Sequence, residues 1–249
     1  GLGYDGADTG STALTITGGS TWQSPEPLTA TASAAIFAPG DVGDILQYVP
    51  TPIAEPFRFK ILAYTSPTSV QVQPLGPVPV AIRGAAFTTW AFARNTFSGL
   101  AHLEGKVVSV LADGNVAPQQ IVSDGSITIP DPSGIVHIGL PYRTLAETLS
   151  INIAGQETLL DKPVQVASVA VLVLDSRGGK IGSKETALFE MKQGQTRGNY
   201  GSIEGSSGRA EDSISDTWEN SGRFLIVQDD PLPMNVIAAI PRAEIGGNL

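Results

Sequence analysis

Cysteine is absent from this 249-residue chain. That excludes a disulfide framework, a thiolate metal site and a cysteine nucleophile. No apolar run approaches the ~20 residues that a membrane-spanning helix needs, and the longest, at 169–174, is far shorter. Cations are scarce as well: 15 Lys and Arg stand against 24 Asp and Glu, a formal net charge of −9. Phosphate affinity rests on Lys and Arg, so this balance argues against a protein that reads or grips DNA. An acidic surface can still accompany DNA without holding it. Aromatic residues make up only 6%, so the core is expected from Val, Ile, Leu and Ala. The opening GLGYDGADTGST has neither a basic start nor an apolar stretch, so no signal peptide is read there. The missing initiator Met fits a processed or excised piece, and the absence of export signals points to synthesis in the cytoplasm.

What the chain does contain is turn formers: 28 Gly and 18 Pro, spread without a period. With 41% hydrophobic residues this suits many short strands joined by tight turns. Phe57, Phe59 and Ile61 alternate with polar residues, as do Val70 and Val72, the mark of half-buried strands. Val108 and Val110 lead into Asp113-Gly114, and Ser123-Asp124-Gly125-Ser126 leads into Ile127 and Ile129. Asp-Gly pairs tolerate the positive φ of hairpin turns. Further alternating sets are Val136, Ile138 and Leu140, then Leu149, Ile151 and Ile153. Residues 164–173 form a β-branched run read as a strand, and 224–227 and 236–240 supply closing strands. Convincing helices are missing.

The fold class predicted is therefore all-β: a small N-terminal β-domain followed by a larger antiparallel β-sandwich or meander domain. Residues 1–30 read as an arm or linker, 31–90 as the small β-domain, and 91–249 as the larger one. Pro74, Pro77 and Pro79 place the boundary within 74–95, with Trp90, Phe92 and Phe97 packing across it. Residues 193–216, rich in Gly and Ser, read as a long exposed loop.

No motif carries chemistry. Gly1, Gly3 and Gly6 match G-x-G-x-x-G, but no strand precedes them and no helix follows. Asp5 and Asp8 fall well short of the ~6–8 oxygens calcium wants. His102 and His137 are the only histidines, too far apart in sequence for a zinc site and without a nucleophile elbow for a triad; Gly205-Ser206-Ser207-Gly208 has the wrong spacing. His137, alternating against Val136 and Ile138, is expected to face outward. Glu204 with Glu211, or Asp229 with Asp230, could pair for glycoside hydrolysis, but Asp230-Pro231 reads more simply as a turn. Arg177, Lys180 and Lys184 are diluted by glycine and form no DNA-reading patch. No catalytic, cofactor-binding or metal residue is assigned, no cofactor is expected, and the chain is read as not an enzyme.

Five segments together resemble one family: FAPGDVGD at 37–44, LAHLEGK at 100–106 with VLADG at 110–114, GLPY at 139–142, SRGGKIG at 176–182, and QDDPLPM at 228–234. Their order is similar to that of the tail nozzle (tail tubular) proteins of double-stranded DNA phages, over roughly residues 30–240. The chain is shorter than most members of that family. The resemblance implies a virion structural protein, one subunit of a homo-oligomeric ring, commonly a hexamer. Such a ring docks to the adaptor and portal and forms the conduit for DNA ejection; DNA passes transiently and no membrane is inserted. Ring closure would also cover strand edges that are otherwise aggregation liabilities. A second reading is a tail-fibre or receptor-binding module that recognises a host surface glycan on an aromatic platform, for which Trp22, Trp90 and Trp218 are the candidates.

Overall fold

The computed structural model describes residues 1–8, 11–50, 56–151, 163–191, 205–214, 218 and 222–246. It is an all-β protein in two compact units, Gly1–Leu140 and Pro141–Leu249. The helical pieces among the described residues are three single 3-10 turns, at Pro39–Asp41, Val80–Ile82 and Ala101–Leu103.

Unit 1 holds strands β1 (Leu2–Asp5), β2 (Leu14–Thr17), β3 (Leu28–Ala32), β4 (Ile45–Tyr48), β5 (Phe57–Ser66), β6 (Ser69–Pro74), β7 (Ala86–Phe87), β8 (Trp90–Ser98), β9 (Val107–Ala112), β10 (Asn115–Ile121), β11 (Ser126–Ser133) and β12 (Ile135–Gly139). They form an antiparallel sheet of eight, ordered β11-β8-β4-β5-β6-β3-β2-β7, and one of four, ordered β1-β12-β9-β10. The period-two pattern sets which side chains point inward. Phe59 and Ile61 of β5 join Leu14, Ile16, Leu28, Val70 and Val72 in one buried cluster. Val108, Val110, Ile127, Ile129, Val136 and Ile138 make a second. The Asp-Gly turns form as expected, with φ of +47° and +76° at Asp113 and Gly114 and +52° and +65° at Asp124 and Gly125.

Two expectations need correction. Residues 1–30 are not an arm: β1 pairs with β12, and β2 and β3 lie inside the large sheet with Leu14, Ile16 and Leu28 buried. Their Gly, Ser and Pro residues serve turns between strands that are short and therefore weakly patterned. Nor does the chain divide near residue 90. β8 pairs with β4, Tyr48 opposite Trp90 and Ile45 opposite Ala93, so the prolines at 74, 77 and 79 mark a loop within one sheet. The division falls between Leu140 and Pro141.

Unit 2 holds β13 (Thr144–Glu147), β14 (Val164–Ser176), β15 (Lys180–Lys184), β16 (Ala187–Glu190), β17 (Ser206–Ser213), β18 (Leu225–Gln228) and β19 (Val236–Ile245). Their sheets are ordered β13-β18-β15-β16 and β17-β14-β19. The β-branched run is the strand expected of it: Val166, Val169, Val171 and Val173 face a core with Ile181, Met191, Phe224 and Ile226. A register shift between Val166 and Ser168 explains why alternation skips one residue there. The expected strand through Leu149 is corrected: β13 ends at Glu147 and Leu149 is 87% exposed. Ile153 lies outside the described residues. The expected loop is corrected in part as well, because Ser206–Ser213 is a strand paired with β14. Residues 193–204 and 215–216 of that expectation lie outside the described residues.

Candidate functional site

The residues singled out for chemistry are placed apart. His102 lies in the middle of a 3-10 turn and His137 on β12, both exposed, His137 facing outward as its alternation requires. Asp5 accepts the Ala7 N–H and Asp8 the Thr12 N–H, both turn contacts. Gly6 has a structural reason beyond chance: a Cβ there would run into the Phe92 carbonyl. Gly3 lies opposite His137 in the β1–β12 pair. Glu204 lies outside the described residues, and Glu211 sits at a β17 position paired with Ala170. Ser207 donates to Asp175 and takes the Asp175 N–H, which anchors a strand end. No group of three or more metal-ligating side chains occurs among the described residues.

The charged residues build clamps. On Pro39–Asp41 and the turn after it, Asp41 and Asp44 take Arg94 at 2.7 and 2.8 Å, while Asp41 also accepts the Ala38 N–H. Burial pushes the Asp44 carboxyl above its ordinary value, overriding the Arg94 pairing. For Arg94, burial opposes the charge, but the Asp44 hydrogen bond and neighbouring negative groups outweigh it and raise its pKa. Asp44 is thus the member of the pair whose charge costs most. In unit 2, Asp229 joins Arg143 at 3.0 Å and Lys180 at 3.2 Å, and Arg143 also reaches Glu185. Lys180, one of the three cations near the 176–184 turn, is thereby committed to ion pairs. Asp229 and Asp230 are turn residues, and Asp230 N–H donates to Gln228.

The turns at 176–182 and 228–234 lock together. Arg177 N–H donates to Pro233, and the Gln228 side chain donates to the Arg177 carbonyl. Gly178 and Gly179 adopt φ of +67° and +94°, and a Cβ on Gly179 would meet Met191 and Met234. A third lock is the Glu26 carboxylate, which accepts hydrogen bonds from the backbone of Ser20, Thr21 and Trp22 and from two hydroxyls. These donors, Ser20 first, hold its pKa down at about 2.

The aromatic platform does not assemble. Trp90 is buried with its indole N–H donating to Thr12, Trp22 packs against the core under Arg83, and Trp218 is half exposed in the other unit. A concave site does exist elsewhere in unit 1. A cleft of about 320 Å³ lies between edge strands β10 and β11, lined by Arg58, Asp113, Val116, Pro118, Pro130 and Asp131 among others. Buried Gln47, with its amide assigned so that the oxygen faces the guanidinium, accepts from Nε and Nη2 of Arg58 at 3.2 Å. Asp113 is fixed by accepting the Gly134 and Ile135 N–H groups, with its other oxygen 3.8 Å from Arg58. Sequence reading missed this site because Arg58 and Asp131 sit 73 positions apart in ordinary strand contexts.

Unit 2 carries an apolar surface. On the face of β17-β14-β19 away from the core, Leu172 lies between Arg209 and Ala238, and Ala170 pairs with Ile240. Ile240 is 60% exposed, Leu174 48% and Leu172 38%. Of the exposed large apolar side chains among the described residues, eleven belong to unit 2 and nine to the longer unit 1. Three of the longer edge strands carry proline, Pro118 in β10, Pro130 and Pro132 in β11, and Pro241 in β19. Proline lacks the N–H that strand addition needs, so these edges are blunted and faces are left to make contacts.

No protein-family model matches the chain, and no curated protein matches it.

Proposed function

We propose that the chain is a structural subunit of a phage tail nozzle ring, a homo-oligomer through which DNA leaves the capsid and which docks to the adaptor and portal. The observation that carries this reading is the apolar patch on the outer face of β14 and β19, centred on Leu172 and Ile240. Exposed patches of this kind mark contact surfaces.

The segments that resemble the nozzle family support the same role. Residues 37–44 hold the Arg94 clamp, and residues 100–106 include Glu104, which accepts the Asp124 and Gly125 N–H groups at a hairpin turn. The 176–182 and 228–234 segments lock to each other. Each fixes a turn, and none presents a nucleophile or an acid–base pair. The net charge of −9 suits a wall that lets a polyanion pass. The edge prolines change how a ring would close: by faces meeting a neighbour, not by strands joining one continuous sheet.

Gold-labelled antibody against the chain, imaged on intact virions, tests the location. Label at the tail axis agrees with the nozzle. Label on peripheral fibres moves the protein to receptor binding, and particles without label remove it from the virion.

A further inference from the structure

We infer that the cleft between β10 and β11 binds a neutral polyhydroxyl unit, such as one sugar ring of a glycan. The argument starts from its charges. Arg58 enters from β5, held in orientation by buried Gln47, and Asp113 and Asp131 bring two carboxylates to the same cleft. An anion would meet both carboxylates, and a cation would meet the guanidinium. A neutral ligand that donates and accepts escapes both penalties. Adjacent ring hydroxyls do this: they donate to the carboxylates and accept from the guanidinium, with charge-assisted bonds stronger than neutral ones.

The walls fit the same ligand. Val116, Pro118 and Pro130 offer apolar surface to the C–H face of a ring, and buried Ile129 also lines the cleft. A volume of about 320 Å³ lies at the small end of ligand sites, enough for one ring rather than a long chain. The site is also preformed. Asp113 sits at φ +47° and is pinned by two backbone N–H groups, so binding orders few side chains. Pro118 and Pro130 do double service, blunting the edges beside the cleft while lining it. This inference stands apart from the tail reading, since it concerns unit 1 alone.

The test is an NMR titration of the whole chain with glucose, galactose, mannose and N-acetylglucosamine, with sodium acetate and arginine as charged controls. At least one sugar is expected to shift the amides of residues 112–118 and 129–133 saturably, with a Kd in the millimolar range. Asp131→Asn, at an exposed position, is expected to weaken that binding about tenfold while leaving the remaining spectrum in place. Arg58→Met does the same if the fold tolerates an unpaired Gln47; Asp131→Asn keeps the test decisive if it does not. Shifts from acetate or arginine but from no sugar overturn the inference, as does a cleft that none of the sugars perturbs. Sugar binding that Asp131→Asn leaves unchanged overturns it equally.

Discussion

The two units are built by the same rule, antiparallel strands with alternating side chains, yet they cover their apolar residues differently. Among the described residues, unit 1 folds two sheets around two buried clusters, and Arg58, Asp113 and Asp131 converge on one cleft. Among the described residues, unit 2 has a single cluster, and the far face of its three-stranded sheet leaves Leu172, Leu174 and Ile240 in solvent. Core alternation alone would have made that face polar. A strand apolar on both faces is what buried sheets require, and β14 reads that way, with Val169 and Val171 inward and Ala170 and Leu172 outward. Under the proposed ring the two units have different work: unit 1 supplies packed cores, and the exposed face of unit 2 is the part that a partner would cover.

The sharpest way to break this comparison is to cut each unit where the account says its stability lies. Phe59→Ala removes a side chain 1% exposed at the centre of the first core, and is expected to cost about 3–5 kcal/mol in urea unfolding. A cost under about 1 kcal/mol would mean that this core is not what holds unit 1. Gly6→Ala forces a Cβ into the Phe92 carbonyl and is expected to cost about 1–3 kcal/mol by the same measurement. No loss there would return residues 1–8 to the role of a loose arm.

The acid limb sharpens the comparison further. Glu26 titrates at about 2 when folded, down from 4.5. Its carboxylate therefore stabilises the fold above pH 4.5, and that contribution is lost as pH falls toward 2. Glu26→Gln is expected to flatten this part of a pH–stability profile; an unchanged slope would show that the 20–26 turn does not depend on the charge. The smallest effect on folding is expected from Leu172→Ser or Ile240→Ser. Each should change monomer stability by no more than about 0.5 kcal/mol, because neither side chain leaves a cavity. Each should nonetheless abolish self-association if the face is a contact.

Much of this was legible in the sequence and some was not, for physical reasons. The all-β class followed from alternation in segments such as Phe57, Phe59 and Ile61 and from the Asp-Gly turns, both local signals. Domain limits were not legible: Trp90–Ser98 pairs with strand Ile45–Tyr48 across more than forty residues, and no local pattern announces that partner. β1 is four residues with one glycine, too short for periodicity to stand out. Asp41 and Asp44 sit in a turn-rich stretch that looks merely soluble until Arg94 arrives from β8. The cleft is likewise a product of long-range pairing, whereas the apolar character of residues 164–174 was visible and only its second, exposed face was not.

The account's central claim is that unit 2 is completed by further copies of this chain. Sedimentation equilibrium of the purified protein, run beside Leu172→Ser and Ile240→Ser, tests it most directly. The account predicts a discrete closed oligomer for the parent chain and monomers for both variants. A parent chain that stays monomeric at every concentration, or variants that assemble as it does, would contradict it.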